Sequence, residues 1–277
     1  MEIKTRRKTI VREALACIFG QGYFGRSEYS VPGEVQLSIE ESEFAFGNTD
    51  CLADENYYAR MSALPCFRGK DAETVRSVLD KRQFRIVCGK TDVTLEALEA
   101  VYELRQKYGI RKFLLLASDA SAREQFSRTI SVMQDYFSDK YYGLKLNIMT
   151  YDSDDFSRLR TFALSDDIQL LIINKEYFIR SNNLLKRPSA RLDGLCPADM
   201  LRPARCVALT VSDDMKAVRA AVKYASVFDP LCTVCFTKNN DEYLAVPTID
   251  PTELKTSESE ELSVGFVGGE ENFQLNI

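Results

Sequence analysis

Residues 84–91 read Phe-Arg-Ile-Val-Cys-Gly-Lys-Thr, and this stretch is informative because it joins an apolar run to a helical pattern. The run 84–87 predicts a buried strand, and the spacing over 92–108 predicts a helix. A loop that binds nucleotide phosphates lies at such a junction and needs glycines, a lysine and a magnesium-binding hydroxyl. Gly89, Lys90 and Thr91 supply the second half of that loop. They are the candidate nucleotide-binding residues, with Thr91 as candidate magnesium ligand.

The first half of the loop is altered. Val87 stands where the loop requires its first glycine, and β-branched residues resist the backbone angles that glycine allows. Two interpretations of Lys90 and Thr91 stay open. Either the N-terminus of the following helix still attracts a phosphate through its N–H groups and dipole, or the loop is inherited and binds nothing.

Composition limits the chemistry. The chain has 277 residues, 45% of them hydrophobic, which is enough to form the core of a large α/β domain. It has no histidine, which excludes imidazole bases, Ser-His-Asp triads and histidine metal sites. The sequence shows no run of eighteen apolar residues and no signal-peptide block, so we expect a cytoplasmic protein without membrane contact.

The eight cysteines are scattered, which favours buried thiols over a disulfide framework. Cys232 and Cys235 form a Cys-x-x-Cys pattern. On a strand, positions three apart point to opposite faces, so we expect buried thiols here rather than a metal site.

Charge is uneven along the chain. The net charge is −5, but residues 241–277 hold nine acidic residues and only Lys255, leaving 32 of the 41 acidic and 35 of the 36 basic residues before them. The acidic tail is either a solvated terminus or a segment that covers a basic groove or docks a partner. The near-neutral body carries no strong signature of nucleic-acid binding. The local clusters of basic residues at 4–8 and 186–187 either contact phosphate groups or are solvated surface charges.

Strands and helices alternate from residue 84 onward, which predicts a three-layer α/β fold with a mainly parallel sheet. The predicted strands are 84–87, 112–117, 144–150, 169–173, 206–211 and 231–236, and the predicted helices are 92–108, 121–137, 154–164 and 214–228. In the helix 92–108 we expect Glu96, Glu99 and Glu103 to face outward. Either Ser212 or Asp214 is expected to cap the last helix.

The flanking regions are less regular. We expect an N-terminal helical and irregular segment over 1–83 packed on the core, the core itself over 84–240, and an acidic C-terminal extension over 241–277. The first segment contains helices near 9–19 and 71–81, with loop or short antiparallel strand over 20–69. Three prolines and Gly194 predict a surface insertion over 186–203, and 262–267 predict a last edge strand.

Several stretches follow Gly-Lys-Thr in a defined order. They are Ala-Val-Tyr-Glu-Leu at 100–104, Lys-Tyr-Gly-Ile-Arg-Lys-Phe at 107–113, Ala-Arg-Glu at 122–124, Tyr-Asp-Ser at 151–153 and Ile-Gln-Leu-Leu-Ile-Ile-Asn at 168–174. In order and spacing, residues 89–178 resemble the first RecA-like lobe of the Res subunit of type III restriction enzymes, which are superfamily 2 helicases and translocases. Asp-Pro-Leu-Cys-Thr at 229–233 resembles the stretch before that family's Ser-Ala-Thr motif. The resemblance covers residues 1–240 and implies a P-loop NTPase core, Mg-ATP as cofactor and DNA as partner.

The chain departs from this family at its catalytic motifs. The family's loop reads Thr-Gly-Thr-Gly-Lys-Thr, and its acidic motif reads Asp-Glu-Pro-Gln. Counting back from Asp229 places Val211 and Ser212 on the acidic pair. Asp213 and Asp214 are therefore catalytic candidates only if the alignment with the acidic motif shifts by two residues. In the alternative interpretation, the same two residues are a helix cap and an acid of the first helical turn.

The remaining motifs are also incomplete. Ser-Ala-Thr becomes Thr-Lys-Asn at 237–239, and the second lobe and the nuclease domain have no counterpart in the sequence. One hypothesis is a degenerate, stand-alone lobe that no longer hydrolyses ATP and acts as a binding or scaffold module. The other is an ATP-dependent DNA translocase or restriction subunit whose second lobe comes from a partner chain.

Overall fold

A computed structural model describes residues 2–20, 52, 56–117, 120–151, 156–165, 167–174, 177, 184–192, 194–238 and 246–251. Its centre is a seven-stranded sheet in which every described pair of neighbouring strands is parallel. The strands are β1 Gln83–Val87, β2 Lys112–Ala117, β3 Leu146–Thr150, β4 Ile168–Asn174, β5 Val207–Val211, β6 Cys232–Thr237 and β7 Thr248–Ile249. Their order across the sheet is β3-β4-β2-β5-β6-β1-β7.

Helices cover both faces of the sheet. The helices are α1 Glu2–Phe19, α2 Tyr57–Ser62, α3 Ala72–Leu79, α4 Val93–Tyr108, α5 Ala120–Lys140, α6 Phe156–Leu164, α7 Pro197–Leu201 and α8 Met215–Ala225. Buried side chains of α1 to α5 share one core with the sheet, and those of α6 to α8 share a second core on the opposite face. The predicted three-layer α/β fold with a parallel sheet is therefore confirmed.

Local signals explain why these segments form their elements. The Asp71 carboxylate caps α3 by accepting a hydrogen bond from the Thr74 N–H. Gly109 ends α4 with a φ of +70°, which glycine adopts without the penalty that a side chain would bring. The strands β2 and β4 are buried along their whole length, as expected for strands covered on both faces.

Two expectations about the first 83 residues need correction. The first helix begins at Glu2 rather than near residue 9. Within the predicted loop or antiparallel region 20–69, the described residues 56–69 contain α2 and a 3-10 turn at Pro65–Phe67 instead of a strand. Tyr57 and Met61 are buried, so packing against the core stabilises this short helix.

The outward orientation of the three glutamates in α4 is wrong. Glu96, Glu99 and Glu103 are at most 6% exposed. Both α1 and α5 pack against α4, so the side of α4 that faces away from the sheet is covered by helices rather than by water. The 3.6-residue period identified the sheet-facing side correctly but could not show this outer layer.

Residues 186–203 are not simply a surface insertion. Ala198 and Leu201 are fully buried and, together with the buried Cys196, belong to the second core. At the other end of the sheet, Thr248 and Ile249 pair with β1 and form an edge strand that was not predicted. The predicted edge strand 262–267 lies outside the described residues. Among the described helices, none combines the length and the apolar character needed to cross a bilayer.

Candidate functional site

The Gly-Lys-Thr loop lies at the carboxyl edge of the sheet, where β1 ends. Ligands of open α/β sheets bind at this edge. Gly89 has a φ of +60°, which a non-glycine residue adopts only with strain, and open space surrounds the position of a Cβ atom. Gly89 and Lys90 are both exposed. The predicted position of the loop, between β1 and α4, is therefore correct.

Asp92 occupies the N-terminus of α4. Its Oδ1 accepts hydrogen bonds from the N–H groups of Thr94 at 2.8 Å and Leu95 at 3.2 Å. Thr91 bends back toward the strand, since its N–H and its hydroxyl both donate to the Cys88 carbonyl oxygen, at 3.2 and 2.8 Å. The helix dipole is thus already matched by a carboxylate, and a phosphate there would meet a like charge.

Other carboxylates add to this negative field. Burial raises the pKa of the Cys88 thiol above its ordinary value, and the charges of Glu96 and Asp213 raise it further. Glu96 belongs to the first turn of α4 and is only 1% exposed. Carboxylate groups therefore lie near the loop, together with the exposed side chain of Lys90.

Asp213 and Asp214 have separate roles. Asp213 Oδ1 accepts a hydrogen bond from the Lys238 N–H at 2.7 Å, and its Oδ2 lies 3.8 Å from Lys238 Nζ. This contact ties the end of β5 to the end of β6. Asp214 caps α8, since its Oδ1 accepts a hydrogen bond from the Lys216 N–H at 2.9 Å. Of the two predicted caps, Asp214 is the N-cap, and the Ser212 hydroxyl accepts from the Asp214 N–H at 3.1 Å.

A cleft of about 230 Å³ lies at the carboxyl edge between β2 and β5. The chain leaves β2 toward α5 on one face and leaves β5 toward α8 on the other, so this is a topological switch point of the sheet. Polar side chains of the cleft come from Thr94, Gln125, Ser212, Asp213 and Lys238. Its volume is below the range of about 300–1,000 Å³ that small-molecule sites occupy.

The structure brings only part of the predicted site together. Asp213 lines this cleft, but Gly89, Lys90 and Thr91 are not among the described residues that line it. Strand β6 lies between β1 and β5, so the loop and the acid end strands that are one strand apart at the same edge, near enough for the charge of Asp213 to act on the Cys88 thiol. Nucleotide binding at Gly89, Lys90 and Thr91 and catalysis by Asp213 or Asp214 stay predictions.

Groups of cysteine and acidic side chains would mark one kind of metal site in the described part of the chain. Among those residues, no group of three or more cysteine or acidic side chains is placed to hold a metal ion. Cys232 and Cys235 are both buried, and Cys232 packs in the core beneath α1 to α5, whereas Cys235 lies outside that cluster. This arrangement agrees with the expected opposite orientation of the two thiols.

A second and larger cleft was not predicted from the sequence. It has a volume of about 430 Å³ and lies between α2 and α3. Its side chains include two aromatic and two basic residues, Tyr58, Phe67, Lys70 and Arg76. The signal that could have found it is this interleaving of aromatic and basic residues, which extends from the predicted loop 20–69 into the predicted helix 71–81.

Comparison with known proteins identifies no family for this chain. Neither a family model nor a curated protein matches the chain. Among solved structures, the crystal structure of the C-terminal part of the Fun30 ATPase domain is similar over 93% of this chain and 94% of that one, with 11% sequence identity and a TM-score of 0.31. A TM-score this low does not establish a common fold, so the architecture rests on the strand order and layers described above.

Proposed function

We propose that this chain is a degenerate, stand-alone helicase-lobe-like domain that acts as a binding or scaffold module and does not hydrolyse ATP. The observation that carries the proposal is the Asp92 carboxylate at the N-terminus of α4. Where a helix N-terminus binds a phosphate, the unpaired N–H groups of its first turn donate to that anion. Here two of them, on Thr94 and Leu95, donate to a carboxylate of the chain itself.

The other parts of the hydrolytic machinery support the same proposal. Phosphoryl transfer relies on a lysine and a metal at the phosphates and on an acidic residue near them. Val87 replaces a glycine of the loop, and the Asp213 carboxylate is engaged by the backbone and side chain of Lys238. The link to type III restriction enzymes and to DNA processing rests on the sequence resemblance of residues 89–178.

Calorimetric titration with Mg-ATP and Mg-ADP tests the proposal. We expect no binding heat from the wild-type protein or from Lys90→Ala. The informative third variant is Asp92→Ser, because serine is a good N-cap that keeps the hydrogen bond and removes the negative charge. If the carboxylate is what excludes phosphate, Asp92→Ser gains nucleotide affinity and the double variant with Lys90→Ala loses it again. Micromolar nucleotide binding by the wild type that Lys90→Ala abolishes would refute the role given to Asp92, and ATP hydrolysis that Lys90→Ala abolishes would overturn the proposal.

A second candidate function is an ATP-dependent DNA translocase or restriction subunit that receives its second lobe from a partner chain. The exposure of Lys90 beside the positive-φ Gly89, at the open edge of the sheet, favours it. In this version Lys90, Thr91 and Asp213 or Asp214 hold Mg-ATP. The isolated chain is then nearly inactive, and the reconstituted complex hydrolyses ATP faster in the presence of DNA. A complex that binds no nucleotide would eliminate this candidate.

A further inference from the structure

The cleft between α2 and α3 has an aromatic side and an apolar floor. The Tyr58 ring is 39% exposed and packs edge-on against the Tyr57 ring, with 5.2 Å between centroids. The guanidinium carbon of Arg76 lies 5.2 Å from the Tyr58 ring centroid. Phe67 and Val75 form the floor and are at most 6% exposed. The cleft therefore joins a stacked cation–aromatic pair to a buried apolar surface.

The walls of this cleft are anchored to the core. The Tyr57 hydroxyl donates a hydrogen bond to the Leu79 carbonyl oxygen at 3.1 Å, and its ring packs against Phe84 of β1 at 6.5 Å. The Tyr58 hydroxyl donates to Asp80 Oδ1 at 2.5 Å, which joins α2 to the end of α3. Since these contacts fix the rings before any ligand arrives, little conformational entropy is lost on binding.

The region around the cleft is basic although the whole chain is acidic. Residues 56–82 contain six basic and three acidic residues, against a net charge of −5 for the chain. Asp71 caps α3 and Asp80 accepts from Tyr58, and since these hydrogen bonds come from neutral donors, the segment's charge is set by its excess of three basic residues. Lys70 and Arg76 both line the cleft itself, so an anionic ligand would meet two cations there.

We propose that this cleft binds single-stranded nucleic acid. One base stacks against the Arg76 guanidinium and the Tyr58 ring, and the neighbouring phosphates contact Lys70. Proteins that bind single strands without sequence preference combine stacking aromatic side chains with a positively charged groove in the same way. Arginine suits this role because its planar guanidinium stacks on aromatic faces. Double-stranded DNA is the poorer ligand, because its bases are already stacked on one another and are not free to stack on Tyr58 or Arg76.

The site is separate from the Gly89 loop. It therefore goes beyond the proposed scaffold function and does not depend on whether that loop binds a nucleotide. It gives the proposed binding module a ligand, single-stranded nucleic acid, whose binding requires no ATP hydrolysis.

Fluorescence anisotropy with a labelled oligothymidylate, in the absence of nucleotide and magnesium, tests the proposal on the full chain. Base–aromatic stacking contributes enough for Tyr58→Leu to weaken binding about 5- to 150-fold. Tyr58→Phe keeps the ring and loses only the hydroxyl, so it is expected to bind almost as tightly as the wild type. Lys70→Gln is expected to lower the slope of log affinity against log salt by about 0.7, the value for one phosphate on a single strand.

The matched control is Lys223→Gln. Lys223 is an exposed lysine of α8 on the opposite face of the sheet, and its neutralisation is expected to leave binding unchanged. Equal losses in Lys223→Gln and Lys70→Gln would mean general attraction of a polyanion and would overturn the proposal. Equal affinity for a duplex of the same length would also overturn it.

Two competitors identify the chemistry of the ligand. Thymidine monophosphate at millimolar concentration is expected to displace the oligonucleotide weakly, because it offers one base and one phosphate. Full displacement at micromolar concentration would mean a mononucleotide site instead. A glutamate-rich peptide that binds in a Tyr58-dependent manner, while the oligonucleotide does not bind, would assign the cleft to an acidic protein segment.

Discussion

Replacing Glu103 with glutamine is expected to lower the free energy of unfolding by about 2–3 kcal/mol, because this carboxylate joins three helices. Its side chain is 1% exposed. Arg12 of α1 donates to it twice, from Nε at 3.2 Å and from Nη2 at 2.7 Å. The hydroxyl of Tyr141, the residue after α5, donates to Oε1 at 2.8 Å, and Lys107 Nζ lies 3.7 Å from Oε2.

The magnitude follows from what each partner loses. Removing one member of a fully buried ion pair costs about 3–5 kcal/mol. The Arg12 side chain is 37% exposed, so water can solvate its charge and the loss falls to about 1–2 kcal/mol. The Tyr141 hydrogen bond changes from a charged to a neutral acceptor, which removes about 1 kcal/mol more. The glutamine amide also turns a donor toward the Arg12 donors.

The same carboxylate makes stability depend on pH. Burial alone would raise the pKa of Glu103, but the hydrogen bonds from Arg12 and Tyr141 lower it, and the net direction is below the ordinary value of 4.5. A folded pKa below the unfolded one contributes stability above the unfolded pKa, and that contribution is lost as pH falls through the folded pKa. The difference between wild type and Glu103→Gln is therefore expected to be full above about pH 5 and to shrink below pH 4.5.

Urea denaturation provides the assay. The chain has no tryptophan and 13 tyrosines, so tyrosine fluorescence and circular dichroism can be followed together. At a slope of about 3 kcal/mol per molar urea, the loss lowers the midpoint by about 1 M. The control is Glu124→Gln, which neutralises an exposed glutamate of α5 and is expected to change stability by less than about 0.5 kcal/mol.

A double-mutant cycle decides whether the network exists. Arg12→Met combined with Glu103→Gln is expected to show a coupling energy above about 0.5 kcal/mol. The reasoning is refuted if Glu103→Gln unfolds with the wild-type midpoint, or if the two substitutions are simply additive.

Three other substitutions or measurements test the described geometry. Gly89→Ala should lower stability by about 1 kcal/mol in thermal unfolding, because φ of +60° strains alanine although its methyl group has room; a neutral effect would contradict the loop conformation. Lys112→Met should cost at least about 2 kcal/mol, because the buried ammonium donates to the Phe162 carbonyl oxygen at 2.6 Å near the end of α6, and an unchanged urea midpoint would count against that contact. Burial raises the pKa of Cys206 and Cys235 to about 12, so both thiols should resist a thiol reagent at pH 8 until urea unfolds the chain.

The positions of the strands and helices could be predicted from the sequence, because each depends on a pattern within a single segment. The predicted strand 112–117 coincides with β2, and the helix predicted over 92–108 matches α4 within one residue. Both assignments depend on the spacing of apolar residues within a single segment. The Asp92 cap also had a local signal, an aspartate directly before a periodic run, but the Gly-Lys-Thr pattern beside it favoured an anion at the same place.

The contacts and burial of individual side chains could not be predicted in the same way. Glu103 was expected in solvent, yet its partners Arg12 and Tyr141 lie 91 and 38 positions away in the chain. The cleft between α2 and α3 depends on Tyr58 and Arg76 meeting across two helices. The members of each pair belong to different segments, so their contacts form only when those segments pack together.

The sequence alone predicted a parallel α/β fold, the lack of histidine chemistry and a Gly-Lys-Thr sequence at the end of a strand. Residue composition and short-range periodicity are sufficient for those conclusions. Tertiary packing was needed to show that β6 lies between the strands that end at the loop and at Asp213, that α1 and α5 bury the acidic side of α4, and that a basic aromatic cleft forms beside β1. The physical reason is that strand order and helix layering bring distant segments together, and burial, charge pairing and cavity shape exist only after they meet.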